Sequence, residues 1–303
     1  MNLEHYGDDN SNDEDAASLI DKQLNFTMSE NGIFDASQIY FKERTELPYL
    51  KPPGQKISVW KIIKDSIGKD LTKITMPVIL NEPVSMLQKL MEFMEYEDLL
   101  KQAAKQEDPV MRFLYVIAFN ISQYKSPSYR IAKPFNPILG ETFEFRTTKY
   151  DCLCEQVSHH PPISASYIKC RQGDYEIWAN TEVKSKFWGT CMEIQPIGHM
   201  HIKLKKFNEI YSVLRPMTTV NNLMIGQIYL DQIGEMQIVK RMMDSNEIIQ
   251  EVTVNFKKGS WVNKAQKHAV EATIPIRPGS DKNYVIGGTW SDGVTILNEE
   301  TEQ

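Results

Sequence analysis

A change of hydrophobic period near residue 141 constrains the fold of this chain more than any other sequence feature. Upstream, apolar residues recur at helical spacing; downstream, they alternate with polar residues. Strict alternation places one set of side chains on each face of a β-strand. The alternating segments are ETFEF, DCLCEQV, SASYIKC, DYEIWANTEV, HMHIKLKK, IGQIYL, GEMQIV and QEVTVNF. Many short strands at close spacing predict an antiparallel meander, closed as a barrel or a sandwich.

Turn residues separate many of these segments. We place turns at Gly173-Asp174, in the 196–198 region, at Gly234 and at Lys258-Gly259. Glycine and Asx residues favour turns because they adopt conformations that other residues avoid. The β-region is therefore predicted over about 140–295.

Three helices are predicted ahead of the strands. The first carries apolar residues on one face, weakens near Gly68 and cannot continue through Pro77. The second is predicted to begin at Pro83, and the third after Asp108 as N-cap, with Pro109 as its first residue. The apolar face of the first helix carries Trp60, Ile63, Ile67 and Leu71. That of the second carries Leu87, Leu90, Met91, Met94 and Leu99, and that of the third carries Phe113, Leu114, Ile117 and Ile121. The fold class is mainly β (α+β), with an N-terminal helical layer.

Composition excludes two classes of protein. The longest nearly unbroken apolar run, Phe113 to Phe119, is far shorter than the roughly 20 residues that span a bilayer. The N-terminal residues lack the basic and apolar regions of a secretory signal. Four cysteines are few for a chain of 303 residues, so we expect reduced thiols in a cytoplasmic protein.

The charge is unevenly distributed. The net charge is −6, but residues 1–21 contain seven acidic residues and no Lys or Arg. Without them the remainder carries +1, and without Glu299, Glu300 and Glu302 it carries +4. Residues 1–55 are therefore predicted to be an acidic, largely disordered arm and linker, and 299–303 an acidic tail. A mildly basic body is compatible with an anionic membrane surface.

The stretch EQVSHHPPISA, Glu155 to Ala165, raises three chemical alternatives. Adjacent His159 and His160 diverge in a strand or turn, and zinc sites take three or four ligands, which disfavours a metal site. No nucleophile elbow or phosphate-binding glycine loop accompanies them, which disfavours an enzyme. We expect no metal, no cofactor and no nucleic acid.

Anion recognition fits the same residues better. Two imidazoles beside two prolines form a preorganised pair of hydrogen-bond donors. Upstream, KPFNPILGE supplies Lys133 as a compact cation and Asn136 as a further donor. On residue chemistry alone, a solvated surface lysine and a structural histidine turn remain equally good interpretations.

EQVSHHPPISA and KPFNPILGETFE together resemble the signature of the oxysterol-binding-protein-related family of lipid-transfer proteins. DLTKITMPVILNEPVSMLQ, KFWG at 186–189 and GTWSDG at 288–293 support the resemblance, which covers residues 58–293. It implies an incomplete antiparallel β-barrel around an apolar lipid tunnel, within a domain over 56–298. Helices over about 83–125 and a lid over about 58–77, with Trp60, Ile63, Ile67 and Leu71 on its apolar face, would complete that domain.

The resemblance also implies a function. Lys133, His159 and His160, with Asn136 as a further contact, would hold the head group of phosphatidylinositol 4-phosphate. The chain would exchange this lipid for a second one between membranes, sterol being favoured over phosphatidylserine. It would act in the cytoplasm, peripheral to membranes, and not as an enzyme.

A second, shorter resemblance concerns the arm. SENGIFDASQ resembles a degenerate form of the acidic motif with two phenylalanines that is read by a VAP-type receptor of the endoplasmic reticulum. Phe34, Asp35 and Ala36 fit the motif, while Ile33 and Gln38 depart from it. An accidental match in a disordered tail is the alternative, and a contact site with the endoplasmic reticulum is the implied location.

The C-terminal end introduces a rival function. Family members continue beyond GTWSDG through segments that complete the domain and add charged head-group contacts, so we expect a shortened domain here. Such a domain could act as a non-transferring adaptor or competitor at membrane contact sites.

Overall fold

A computed structural model describes residue 78 and residues 81–130, 132–245, 247–259, 267–277 and 279–300. Contacts divide the chain into a unit of residues 1–52 and a unit of residues 53–303. The lid residues Trp60, Ile63, Ile67 and Leu71 and the receptor-motif residues Phe34, Asp35 and Ala36 lie outside the described residues.

The helical layer precedes the sheet. It comprises α1 (Met86–Lys89), α2 (Glu97–Lys105) and α3 (Pro109–Ser122), with single 3-10 turns at Glu92–Tyr96 and Ser126–Tyr129. Asp108 caps α3 as predicted: its carboxylate accepts from the backbone N–H groups of Val110 at 2.7 Å and Met111 at 3.0 Å. All four predicted apolar residues of α3 are buried.

The predicted helix start at Pro83 is wrong. Pro83 lies in strand β1 (Asn81–Ser85), which pairs in parallel with β2 (Lys133–Phe135). The helix begins three residues later because Ser85 and Gln88 form a reciprocal capping box. Leu87, Met91 and Met94 are buried as expected, although α1, the 3-10 turn and α2 carry this stretch instead of one helix.

The remaining strands form one large antiparallel sheet, so the mainly β fold class is confirmed. They are β3 (Thr142–Arg146), β4 (Tyr150–His159), β5 (Pro162–Cys170), β6 (Tyr175–Phe187), β7 (Cys191–Ile197), β8 (His199–Leu204), β9 (Glu209–Leu214), β10 (Met217–Asn221), β11 (Tyr229–Met242), β12 (Ile248–Phe256), β13 (Ala269–Pro275), β14 (Asn283–Thr289) and β15 (Gly293–Asn298). The order across the sheet is β15-β14-β13-β12-β11-β10-β7-β6-β5-β4-β3. A main apolar core joins the helices to the sheet.

The central strands are longer than the alternation predicted. β7 and β8 both pair with β6, one beyond the other, and β9 and β10 both pair with β11 in the same way. Two predicted turns are therefore wrong: Gly198 separates two collinear strands, and Gly234 lies inside β11. Both glycines have positive φ, +92° and +94°, which lets the backbone bend without reversing direction.

Candidate functional site

Lys133 lies in the short strand β2. Asn81 of β1 donates through Nδ2 to the carbonyl of Pro134 at 3.2 Å, which fixes the backbone next to Lys133. Lys133 Nζ donates to Asn136 Oδ1 at 2.9 Å, and burial lowers the pKa of Lys133. Lys133 forms no ion pair within the described residues. A half-buried ammonium with an amide partner remains able to bind an anion.

The loop after Asn136 is clamped to β4. The N–H of Gly140 donates to the carbonyl of Gln156 at 2.9 Å, and the N–H of Gln156 donates to the carbonyl of Glu141 at 2.9 Å. The Glu141 carboxylate also accepts from the N–H of Ile138 at 3.0 Å. Loop 136–141 therefore runs beside the residues that lead into His159.

His159 closes β4, and His160 lies in the turn before β5. The two rings meet edge to face, with centroids 4.7 Å apart, and the bond between His160 and Pro161 is cis. His160 is exposed and His159 half-buried. The Nδ1 atom of His159 is buried and has no hydrogen-bond partner among the residues that the structure describes. A buried polar nitrogen without a partner is costly, so it favours a ligand that supplies one.

A β-bulge shapes the turn from within the sheet. The register of β4 against β5 shifts between Gln156 and Ser158. The buried Gln156 side chain donates to the carbonyl of Ser158 at 2.8 Å and accepts from the Ser164 hydroxyl at 2.6 Å. Bulges commonly re-aim side chains next to functional sites.

The sequence motifs meet at one end of the sheet. β3 begins, β4 ends and β5 begins at this end, which we call the histidine end. Because the sheet is antiparallel, the β6–β7 turn with KFWG and the β14–β15 turn with GTWSDG lie there too. Lys133 and Asn136 touch each other, His159 and His160 touch each other, and the pairing of loop 136–141 with β4 places both pairs at the histidine end.

Sequence reasoning missed three further polar side chains, which belong to Trp290, His268 and Arg215. Trp290 of GTWSDG is buried, and its ring centroid lies 4.2 Å from that of His268; within the described part of the chain, Trp290 Nε1 and His268 Nε2 lack hydrogen-bond partners. Arg215 donates to the Thr181 hydroxyl at 3.2 Å, while its Nε is unsatisfied and burial lowers its pKa. The signal for Arg215 was available: Glu209, Tyr211, Val213 and Arg215 alternate along one strand face.

Neither a metal cluster nor a membrane-spanning helix is found in the described ranges. No group of three or more His, Cys, Asp or Glu side chains could hold a metal ion among these residues. Within the same residues, no helix has the length and apolarity to cross a bilayer. Cys152 and Cys154, which alternate on one face of β4, are free thiols buried in the core.

Comparison with known proteins gives a consistent result. Residues 58–303 match the family described as Oxysterol-binding protein. Oxysterol-binding protein-related protein 3 of Mus musculus is 40% identical over 257 residues, which cover 84% of this chain and 29% of that protein. Oxysterol-binding protein homolog 2 of Saccharomyces cerevisiae is 38% identical over 258 residues, covering 83% and 19%. The chain thus spans less than a third of the length of these two relatives.

Solved structures show the same fold. The Osh1 ORD domain in complex with cholesterol is 30% identical with a TM-score of 0.74, covering 97% of this chain and 67% of that one. The Osh3 ORD in complex with PI(4)P, from Saccharomyces cerevisiae, is 29% identical with a TM-score of 0.69, covering 82% and 65%. On the family match over 58–303 and the identity to these relatives, the chain belongs to the oxysterol-binding protein family.

Proposed function

We propose that this chain binds phosphatidylinositol 4-phosphate through Lys133, Asn136, His159 and His160, and exchanges it for a second lipid between membranes. The observation that carries the proposal is the half-buried ammonium of Lys133, which has no carboxylate partner within the described residues, at the same sheet end as two adjacent imidazoles. Three donor groups at one end suit a phosphomonoester, whose oxygens accept several charge-assisted hydrogen bonds. The crystallised relatives with cholesterol and with PI(4)P support both lipid classes.

The remaining parts of the proposal concern how the two lipids are exchanged and where the chain acts. One site that holds either lipid releases the first when it takes the second, and membranes of different composition then set the direction. Sterol is favoured as the second lipid, with phosphatidylserine as the alternative. The chain acts in the cytoplasm at membrane surfaces without catalysing a reaction, under a lid over 58–77. A VAP-type receptor recruits it through Phe34, Asp35 and Ala36 to contacts with the endoplasmic reticulum.

Extraction from vesicles tests the site. Vesicles contain labelled phosphatidylinositol 4-phosphate, and the protein-bound label is measured for the unmodified chain and for the His159→Ala, His160→Ala variant. Each lost charge-assisted hydrogen bond is worth about 1.5–3 kcal/mol, so extraction affinity should fall at least about tenfold.

The matched control removes two other histidines, His199 and His201 on β8, and should extract the lipid as the unmodified chain does. Equal losses in the two variants would remove the head-group role of His159 and His160. Failure of the unmodified chain to extract any label would overturn lipid exchange itself. Unlabelled sterol and phosphatidylserine, added in separate arms, identify the second lipid by which of them displaces the label.

A further inference from the structure

Exposed apolar side chains gather at the histidine end. In the β6–β7 and β10–β11 turns, Trp188 is 49%, Met224 42% and Ile225 84% exposed; before β3, Ile138 is 70% and Leu139 64% exposed. We call Trp188, Met224 and Ile225, on two turns that contact each other, the apolar rim. The five exposed residues at this end include three of the four most exposed large hydrophobic side chains among the described residues. Clustered apolar exposure of this kind marks an interaction surface.

A small apolar core and a backbone hydrogen bond support the two turns that carry the rim. Beneath them, Phe187, Val220 and Leu223 form a small apolar core separate from the main one. The N–H of Leu223 donates to the carbonyl of Thr190 at 3.1 Å, which joins the two turns. Turns are usually formed by polar residues and glycine. The geometry of this turn therefore does not explain why the apolar residues Met224 and Ile225 are exposed in it.

The chemistry around Trp188 fits a lipid surface. Its indole N–H donates to Glu193 Oε2 at 2.8 Å, and the ammonium of Lys186 lies 3.9 Å from the ring centroid. Lys184 and Lys186 are exposed on the same strand. Tryptophan prefers the boundary between head groups and acyl chains, and neighbouring lysines are attracted to anionic lipid.

The β6–β7 turn, which carries Trp188, extends beyond the histidine turn. Ile163, next to the histidine turn, pairs with Glu182, and β6 continues for five more residues to Phe187. At about 3.3 Å per strand residue, this extension is roughly 17 Å long. The β6–β7 turn therefore stands ahead of His159 and His160.

We propose that the apolar rim inserts into the interfacial layer of a bilayer containing anionic lipid and docks the histidine end on that membrane. The assignment of a membrane as the partner of this surface rests on the proposed function, because the bound lipid enters the protein from a membrane. Rim side chains would enter the apolar boundary, while Lys184 and Lys186 remain among the phosphates.

Vesicle co-sedimentation of the full chain tests this docking. The vesicles contain phosphatidylcholine with or without phosphatidylserine, and neither phosphoinositide nor sterol. Ile225→Asp should weaken binding about tenfold or more, because a carboxylate is excluded from the apolar layer and repelled by anionic lipid. The matched control is Ile248→Asp, at the start of β12 and the opposite end, where Ile248 is 51% exposed; it should bind as the unmodified chain does.

A second readout reports where the rim lies. Brominated acyl chains should quench the tryptophan emission of the unmodified chain more than that of Trp188→Phe. Equal quenching, equal binding by the Ile225→Asp and Ile248→Asp variants, or no binding by the unmodified chain would each overturn the proposal. Loss of a dimer in Ile225→Asp without vesicles, seen by sedimentation velocity, would assign the rim to a second copy of the chain and overturn it as well.

The test separates docking from lipid recognition. The vesicles contain no phosphoinositide, so binding to them reports docking without recognition of the inositol head group. Normal docking with failed extraction by the unmodified chain would overturn the proposed function alone. Extraction that survives in an Ile225→Asp variant with unchanged vesicle binding would overturn the docking proposal alone.

Discussion

Among single residues, Glu209 has the densest set of buried polar contacts. Its carboxylate accepts two hydrogen bonds from Arg112, at 2.9 and 2.7 Å, and one from the Tyr211 hydroxyl at 2.6 Å. The ammonium of Lys240 lies 2.8 Å from the same carboxylate. Arg112, Glu209 and Lys240 are each at most 5% exposed, so this cluster ties α3 to β9 and β11 inside the core.

Glu209→Gln should therefore destabilise the fold by about 3–5 kcal/mol, because two buried cations lose their countercharge. Urea unfolding at neutral pH measures the change in the free energy of unfolding. The control is Glu144→Gln, which removes the exposed pair with Arg146 and should change the free energy of unfolding by at most about 1 kcal/mol. Equal effects of the two substitutions would contradict this account.

The same carboxylate sets a pH dependence. Burial alone would raise the pKa of Glu209, but hydrogen bonds from Arg112, Lys240 and Tyr211 outweigh it and leave the pKa below its ordinary value. Its stabilisation is present above the unfolded pKa of about 4.3 and is lost as pH falls through the folded pKa. The stability difference between the unmodified chain and Glu209→Gln should shrink over that acidic range; a constant difference would argue against the shift.

Among the elements, the central strands share a bend. Gly198 separates β7 from β8, Pro216 lies between β9 and β10, and Gly234 interrupts β11 at the neighbouring position across the sheet. A proline and two glycines with positive φ weaken the hydrogen bonding between strands at corresponding positions of neighbouring strands. The small core of Phe187, Val220 and Leu223 lies on the histidine side of this bend and is separate from the main core.

Gly198→Ala should destabilise the fold by about 2–5 kcal/mol, combining left-handed backbone strain with overpacking. A Cβ at Gly198 would meet Asn180 Oδ1 at 2.6 Å and the Asn180 carbonyl oxygen at 2.8 Å. Gly173→Ala is the matched control, since its φ is also positive but a Cβ there meets nothing within 4 Å. In urea unfolding, the free energy of unfolding of the control should fall by only about 1–2 kcal/mol. Equal losses in the two variants would show that the close contact with Asn180 relaxes.

At the scale of the whole molecule, the uneven charge should control adsorption to membranes. Replacing the acidic residues of the arm by amides changes the net charge from −6 to +1; they are Glu4, Asp8, Asp9, Asp13, Glu14, Asp15 and Asp21. The substituted chain should bind anionic vesicles more tightly at low salt. The gain should fade near 1 M salt, where the screening length is about 3 Å.

Phosphatidylcholine vesicles are the control, because they carry no net charge for the arm to repel. Identical affinities of the two chains for anionic vesicles at low salt would show that the arm does not influence adsorption.

Much of the fold was predictable from local pattern. The period-two alternation identified most strands, Asp108-Pro109 identified the start of α3, and the SHHPP and KPFNP motifs identified the family. The roles of Lys133, Asn136, His159 and His160 remain predictions. The wrong predictions at Pro83 and Gly234 also have local causes. A proline is tolerated in a strand that pairs along one edge only, and a glycine permits a bend within a strand as readily as a turn.

The sequence by itself determined most element types, the helix-rich stretch ahead of the large sheet and the residues that mark the candidate site, because each depends on neighbours within a few positions. Only the tertiary structure decided that β7 continues into β8, that Glu209 meets Arg112, and that Ile138, Trp188 and Ile225 share one end. These relations join residues far apart along the chain. They arise from strand pairing and core packing across the sheet, which local periodicity does not encode.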